Sequence, residues 1–314
     1  MSFTSKVKNE IVLKDMDYTD KNIALSELMA FVVYSAKLKK HIAGYSLKIK
    51  TENAKIARRI YTHLKIAAGI KSVISIHKQN EKTTIYEVKI DDTDNVIKLY
   101  TMLGLIKSGE SIDRHKEFEP SKLMVRKAEY KRAFVKGAFL CSASVNDPSK
   151  NYHLEFALPS DKGAIFLDSI LTNLGFEAKI IMRKNKYVVY FKNSDAISDI
   201  LATVEALSCF SEFCNAKIVK DMKNNINRKM NCDNANMDKA INASMHQVEC
   251  IELLIKKGIF DKLDNGLKEI ARLRLENKDV SLKELGEMLD EPIGKSGVNH
   301  RLRKIQEIAE KYMD

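Results

Sequence analysis

Only four prolines and twelve glycines punctuate the 314 residues, so the chain carries no long low-complexity linker. No run of eighteen apolar residues occurs, which excludes a membrane-spanning helix. The first fifteen residues alternate charge with single apolar residues and lack the apolar core of a signal peptide, so a cytoplasmic location is expected. Cysteine is sparse and odd in number. Cys141, Cys209, Cys214, Cys232 and Cys250 contain no C-x2-C pair and have no histidine pair at ligand spacing beside them. Free thiols are therefore expected, with no disulfide framework, no structural zinc and no cofactor.

What is present is enough apolar content, 45%, for two ordinary domains with real cores. The net charge is +11, which permits a polyanionic partner without requiring one. Residues 217–314 hold 19 Lys+Arg against 17 Asp+Glu, and residues 1–216 hold 34 against 25, so most of the excess lies in the first two thirds. In the last third the positive charge is concentrated instead. Lys217, Lys220, Lys223, Arg228 and Lys229 stand against Asp221 alone, and residues 295–304 carry four basic residues and no acid.

Residues from about Leu25 to Leu207 read as one pattern written twice. The first copy predicts a helix over Leu25–Lys37, a strand over Tyr45–Lys50 and a helix over Asn53–Leu64. Strands over Ser72–His77 and Thr84–Ile90 and a helix over Thr93–Leu103 complete it. The second copy predicts a helix over Tyr130–Ser142, a strand over Tyr152–Leu158 and a helix over Lys162–Leu174. Strands over Glu177–Arg183 and Tyr187–Lys192 and a helix over Asp195–Leu207 follow. Asn80–Lys82 and Lys184–Lys186 are short polar turns between alternating runs, as hairpins require. Asn53, Asp94 and Asp195 stand where N-caps belong, and Gly69 and Gly175 follow helix ends.

The opening helices of the two copies differ from ordinary surface helices. Residues 28–36 are apolar on every face and predict burial all round. Residues 135–143 place small residues where two helix backbones approach, with Ala30 and Gly137 at matching places. Two such helices, each carrying its own sheet, resemble the LAGLIDADG homing-endonuclease fold. In active members each motif helix ends in an acid that binds the catalytic divalent metal; the matching positions here are Ser35 and Ser142. A neutral hydroxyl does not hold Mg2+ as a carboxylate does. The nearest acids, Glu27 and Asp147, lie outside the motif position, so nuclease activity is not expected.

Asn234–Lys257 predicts a long helix with Met237, Ile241, Met245, Val248, Ile251 and Ile255 near 3.6 spacing, stopped by Gly258. Before it, residues 224–232 are rich in asparagine and basic. They read either as a solvated loop or as an arm that tracks phosphates, with Arg228 and Lys229 as its contacts. Leu267, Ile270, Ala271 and Leu275 line one face of a short helix. Ser281 and Glu284 form a capping box ahead of a two-turn helix with Leu282, Leu285 and Leu289. The turn at residues 290–295, stopped by Pro292, is longer than a helix-turn-helix usually has. The last helix, Ser296–Tyr312, carries an apolar stripe of Val298, Leu302, Ile305, Ala309 and Tyr312. Its opposite face presents Ser296, His300, Arg303 and Glu307, flanked by Asn299 and Lys304, with Arg301 nearer the stripe and Lys295 just ahead. This is the profile of a recognition helix in the major groove, where asparagine pairs with adenine and arginine with guanine while Lys304 touches phosphate. Ser296 reads equally as the helix N-cap, and His300 as a merely solvated side chain.

The opening Met1-Ser2-Phe3 with Val7-Lys8-Asn9-Glu10, then residues 151–156, 231–236, 280–286 and above all 295–305 are similar to the bacterial WhiA family over essentially the whole chain. The resemblance implies an α+β protein. A pseudo-twofold LAGLIDADG-like domain (1–215, repeats at about 22–107 and 130–210) is followed by a basic linker (216–233). An all-α domain (234–314) comes last, its helix-turn-helix at about 281–312 resembling region 4 of sigma factors. It further implies a regulator of sporulation, cell division and chromosome segregation that binds promoter sites in double-stranded DNA and works with another transcription factor or a sigma factor of RNA polymerase. Two other readings stand beside it: a metal-dependent homing-type endonuclease, and an N-terminal protein-docking platform with DNA bound only by the C-terminal domain.

Overall fold

A computed structural model describes residues 1–14, 17–42, 44–78, 83–110, 112 and 126–313. The chain forms two compact units, Met1–Lys220 and Asp221–Asp314.

The first unit opens with α1 (Phe3–Leu13), a helix that no strong apolar periodicity announces. Its apolar residues are few, but Phe3, Val7 and Ile11 recur every four residues and are buried together. The remainder repeats one order twice. The first copy is α2 (Lys21–Ser35), β1 (Ala36–His41), β2 (Gly44–Thr51), α3 (Ala54–Ile66), β3 (Val73–Lys78), β4 (Thr84–Ile90) and α4 (Thr93–Met102). The second is α5 (Ala128–Ser142), β5 (Ala143–Val145), β6 (Leu154–Leu158), α6 (Asp161–Asn173), β7 (Lys179–Arg183), β8 (Lys186–Phe191) and α7 (Ser194–Thr203). The sheets run β1-β2-β4-β3 and β5-β6-β8-β7, antiparallel throughout, so the copies share one topology.

Each sheet has four strands where the sequence predicts three. The extra ones, β1 and β5, follow α2 and α5 without an intervening turn residue. β1 is lysine-rich and mostly exposed, and β5 is only three residues long. An edge strand of that kind carries neither strong alternation nor a turn signal. The cap at Asn53 forms as expected, its side chain accepting from the Lys55 and Ile56 amides. Asp94 and Asp195 are not caps; Asp92 and Asn193, two residues earlier in each case, accept the first-turn amides instead. Gly69 and Gly175 take the positive φ that ends α3 and α6. The second hairpin closes through Lys184 and Asn185, both at positive φ, as a two-residue primed turn requires. The other hairpin turn, Asn80–Lys82, lies outside the described residues.

The central packing is α2 on α5. Residues Ala24–Val32 and Ala133–Leu140 are buried on every side, Ser26, Glu27 and Lys136 among them, whereas of residues 28–36, expected to be buried all round, Val33–Ala36 are only half-buried. At Gly137 the backbones approach so closely that a Cβ would stand 2.4 Å from the Glu27 carbonyl oxygen and 3.0 Å from the Ala30 Cβ. A single apolar core runs through both copies around this contact.

One ion pair lies inside that core. Arg59 on α3 grips Glu27 on α2 with two bonds, Nε to Oε1 at 2.6 Å and an Nη to Oε2 at 3.0 Å. His63 Nε2 stands 3.3 Å from the same carboxylate, and its Nδ1 meets the Tyr18 hydroxyl at 2.8 Å. Burial pushes the Glu27 carboxyl up, but His63 and Arg59 outweigh it and hold it well below the ordinary carboxylate range.

α8 (Leu207–Lys256) starts in the first unit, where both carboxylate oxygens of Glu10 accept its Ser208 and Cys209 amides at 2.6 and 3.0 Å. It ends in the second at Gly258, which takes a positive φ. The segment expected as linker and solvated loop, residues 216–233, is helical within it. Asparagine favours turns, but residues 207–257 contain neither glycine nor proline to stop the helix. Of its predicted stripe, Val248 and Ile251 are buried while Met237, Ile241, Met245 and Ile255 are exposed.

In the second unit a 3-10 turn (Phe260–Lys262) leads to α9 (Asn265–Glu276), α10 (Leu282–Glu287) and α11 (Lys295–Glu310). Cys250, Ile251 and Leu254 of α8 join Ile270, Leu285, Val298, Leu302 and Ile305 in one core. Arg274, buried on α9, donates to the carbonyls of Asn277, Lys278 and Val280 and so shapes the loop to α10.

Gly137→Ala is expected to cost about 1–3 kcal/mol by overpacking, even though alanine is the better helix former, as a urea melt will read. Glu27→Ala, which strands Arg59 inside the core, is expected to cost about 3–5 kcal/mol. Because the folded Glu27 pKa is depressed, its contribution is complete above roughly pH 4.3, the value of an unfolded glutamate. It is lost as the pH falls from there toward the folded pKa. An acid titration followed by circular dichroism checks the sign: wild type must lose stability over that range, and Glu27→Ala must lose less.

Candidate nucleic-acid interface

The helix-turn-helix is assembled by short-range chemistry. Ser281 accepts the Glu284 amide at 3.3 Å while the Glu284 carboxylate accepts the Ser281 amide at 2.9 Å, the reciprocal box expected from the sequence. The long turn then folds back on α10. The Ile293 amide donates to the Gly286 carbonyl at 3.1 Å. A Cβ on Gly286 would stand 2.2 Å from the Ile293 carbonyl oxygen and 3.0 Å from Val298 Cγ2, so only glycine admits this return. The Asp290 amide donates to Glu269 on α9 at 2.8 Å, which holds the turn from the other side. The extra length is thus absorbed by contacts with both preceding helices.

α11 begins one residue earlier than predicted. Gly294 is its N-cap, and Ser296 lies exposed in the first turn rather than capping. Val298, Leu302, Ile305 and Ala309 are buried as the stripe predicts, but Tyr312 falls beyond the helix and is exposed. Lys295, Ser296, Asn299, His300, Arg303 and Lys304 are all exposed, and no acid stands in the first turn. The helix therefore presents its positive N-terminal end and a polar, basic face to solvent.

Three basic side chains are engaged in ways the linear pattern conceals. Arg301 is half-buried and turned toward α9, where an Nη meets the Gly266 carbonyl at 3.4 Å. Arg303 Nε donates to Glu307 Oε1 at 3.1 Å, and Lys304 Nζ stands 3.7 Å from Asp264. The cluster is acid-free along the chain but not in space. Exposed pairs of this kind contribute about 0–1 kcal/mol and exchange readily for another anion.

Arg228 and Lys229 are exposed on α8. His246, farther along that helix, meets Gln306 of α11 at 2.9 Å, and Arg228 lies about five helical turns upstream of that contact.

In the first unit Ser35 and Ser142 are the last residues of α2 and α5. Ser142 Oγ donates to the Ala138 carbonyl at 2.7 Å. The two nearest acids are both engaged elsewhere: Glu27 in its core pair, and Asp147 with the amide and hydroxyl of Ser149 at 2.9 and 2.6 Å. Among the described residues, no group of three or more His, Cys, Asp or Glu side chains is placed to hold a metal ion. Part of the N-terminal positive excess gathers on the first sheet, where Lys37 stands opposite Lys48 and Lys48 opposite Lys89. Lys48 reaches Glu87 at 2.7 Å and Lys89 reaches Asp91, so this row is partly neutralised.

Comparison with known proteins covers the chain from end to end. The model of the WhiA N-terminal LAGLIDADG-like domain matches residues 21–106, that of the WhiA LAGLIDADG-like domain residues 131–223, and that of the WhiA C-terminal HTH domain residues 226–309. The probable cell division protein WhiA of Clostridium beijerinckii is 41% identical over 312 residues, covering 99% of this chain and 98% of its own. That of Clostridium botulinum strain Eklund 17B is 40% identical over 314 residues, with the same shares. The crystal structure of full-length DUF199/WhiA from Thermatoga maritima covers all of both chains with a TM-score of 0.56 at 22% identity, a likeness of fold. With a shared fold, matching domains throughout and relatives about 40% identical along its whole length, the chain belongs to the WhiA family.

Proposed function

We propose that this protein is a sequence-specific regulator of transcription that binds promoter sites in double-stranded DNA through the N-terminal half of α11 and has no nuclease activity. The supporting observation is the solvent-facing set of Lys295, Ser296, Asn299, His300, Arg303 and Lys304 on a helix whose opposite side is anchored in the core. Asn299 and Arg303 read base edges, and Lys295 and Lys304 neutralise phosphates. On binding, Arg303 and Lys304 exchange their weak carboxylate partners for DNA. Arg301 has a smaller share, since its guanidinium is turned toward the α9 backbone. Arg228 and Lys229 act on the phosphate backbone away from the recognition helix.

That the relatives are named probable cell division proteins supports a regulated process in cell division, and we extend it to sporulation and chromosome segregation. The protein works on the nucleoid in the cytoplasm. Its first unit retains a nuclease-like scaffold with serines at the ends of the two central helices. It serves as a docking platform for another transcription factor or an RNA polymerase sigma factor.

Arg303→Ala and Asn299→Ala are each expected to weaken binding to a specific site by about 1–3 kcal/mol in a mobility-shift titration. Unchanged affinity in both would remove α11 from the recognition role. Lys304→Ala is expected to weaken binding to all sequences alike and reduce the salt slope by about one. Gly286→Ala, which drives a methyl into the Ile293 carbonyl, is expected to abolish specific binding by displacing the turn. Supercoiled plasmid incubated with the protein and Mg2+ or Mn2+ is expected to stay intact; nicking lost on mutation near Ser35 or Ser142 would establish an endonuclease instead.

A further inference from the structure

α1 is a helix with two uses. Phe3, Val7 and Ile11 bury one side of it, while Thr4, Ser5 and Lys8 line a cleft of about 780 Å³ within the first unit. The cleft opens beside the ends of the central helices, with Ser35 of α2 and Cys141 of α5 among its walls, and it reaches Lys50 on β2 and Lys55 at the start of α3. Thr4 fixes α1 in place, its hydroxyl bonding the Val145 carbonyl and amide at 2.8 and 2.9 Å.

Lys8 is the unusual member. It is half-buried, and among the described residues it makes no ion pair or hydrogen bond. It shares the cleft wall with Cys141, whose thiol burial pushes up to about 11 and so keeps neutral at physiological pH. Burial in turn pulls the Lys8 pKa down, the mark of a cation short of solvent and of a counter-charge. Lys50 already shares Glu87 at 3.4 Å, and Glu52, the single acid on the wall among the described residues, is exposed. A half-buried cation without a partner is costly unless something anionic completes it. The volume is that of a small-molecule site, and the wall offers three lysines and several hydroxyls against one carboxylate.

We propose that this cleft binds a phosphate group, with the Lys8 ammonium as its principal counter-charge and the Ser35 hydroxyl as a neutral donor. Two sources share that chemistry: a free phosphorylated molecule of about nucleotide size, or the backbone of a DNA duplex. The site is independent of α11, so it stands or falls apart from the DNA-reading proposal.

The test uses the full chain, with inorganic pyrophosphate as probe and chloride at matched ionic strength as control. Wild type is expected to show a saturable rise in Tm with pyrophosphate. Lys8→Met, which keeps the packing stem, is expected to fold normally and lose at least tenfold in apparent affinity. Ser35→Ala is expected to lose severalfold and covers the case in which Lys8→Met fails to fold. Arg303→Ala, deficient in specific DNA binding, is expected to retain the full response. The same Lys8→Met protein separates the sources: a DNA salt slope reduced by about one assigns the phosphate to the duplex, and an unchanged slope assigns it to a free ligand. The proposal is overturned if Lys8→Met and Ser35→Ala match wild type in both pyrophosphate response and salt slope, including the case in which no protein responds to the probe.

Discussion

The contact on which the larger unit depends is the approach of α2 to α5, where Gly137 faces the Glu27 carbonyl with no room for a methyl group. Two helices whose central turns are buried on every side need wrapping by other elements. Each carries its own four-stranded sheet directly from its C-terminal end, and the two copies together supply the wrapping. This arrangement also fixes where function can sit. The helix ends, at Ser35 and Ser142, lead straight into the sheets, so whatever those residues face is positioned by the close contact of α2 with α5.

The same helix explains a charge in the core. Glu27 supplies the carbonyl that crowds Gly137 and also the carboxylate that Arg59 holds with two bonds. A buried bidentate pair gives direction to packing that apolar contacts leave loose, while adding little net stability over an apolar pair. In the second unit the corresponding constraint is the return of Ile293 onto Gly286. It accommodates a turn longer than usual and sets the position at which α11 begins, and with it the set of side chains presented to solvent.

Much of this was legible in the sequence wherever the signal was periodic or local. The repeat, the apolar run in the first central helix and the small residues of the second, the capping box at Ser281 and the buried stripe of α11 follow from spacing alone, because helix geometry and first-turn hydrogen bonds act within a few residues. The signal failed where it was sparse or non-local. β1 and β5 have too little alternation to announce themselves, and α1 hides three core residues among charges. Asparagine content suggested a loop over 224–232, yet the absence of any breaker allowed α8 to continue.

The order of residues by itself determined the two-copy architecture, the helical C-terminal unit and the apolar side of the last helix, since each depends on periods of two or 3.6 read along the chain. Only tertiary structure decided which charges are free. Glu307 and Asp264 reach Arg303 and Lys304 from one turn along and from another helix, and Arg301 turns aside to the backbone near Gly266. Lys8, one of many lysines in the chain, becomes distinctive only because folding sets it half-buried in a cleft wall without an ion-pair partner among the described residues. Electrostatic partnership is a matter of distance and burial, and neither is written in the order of residues.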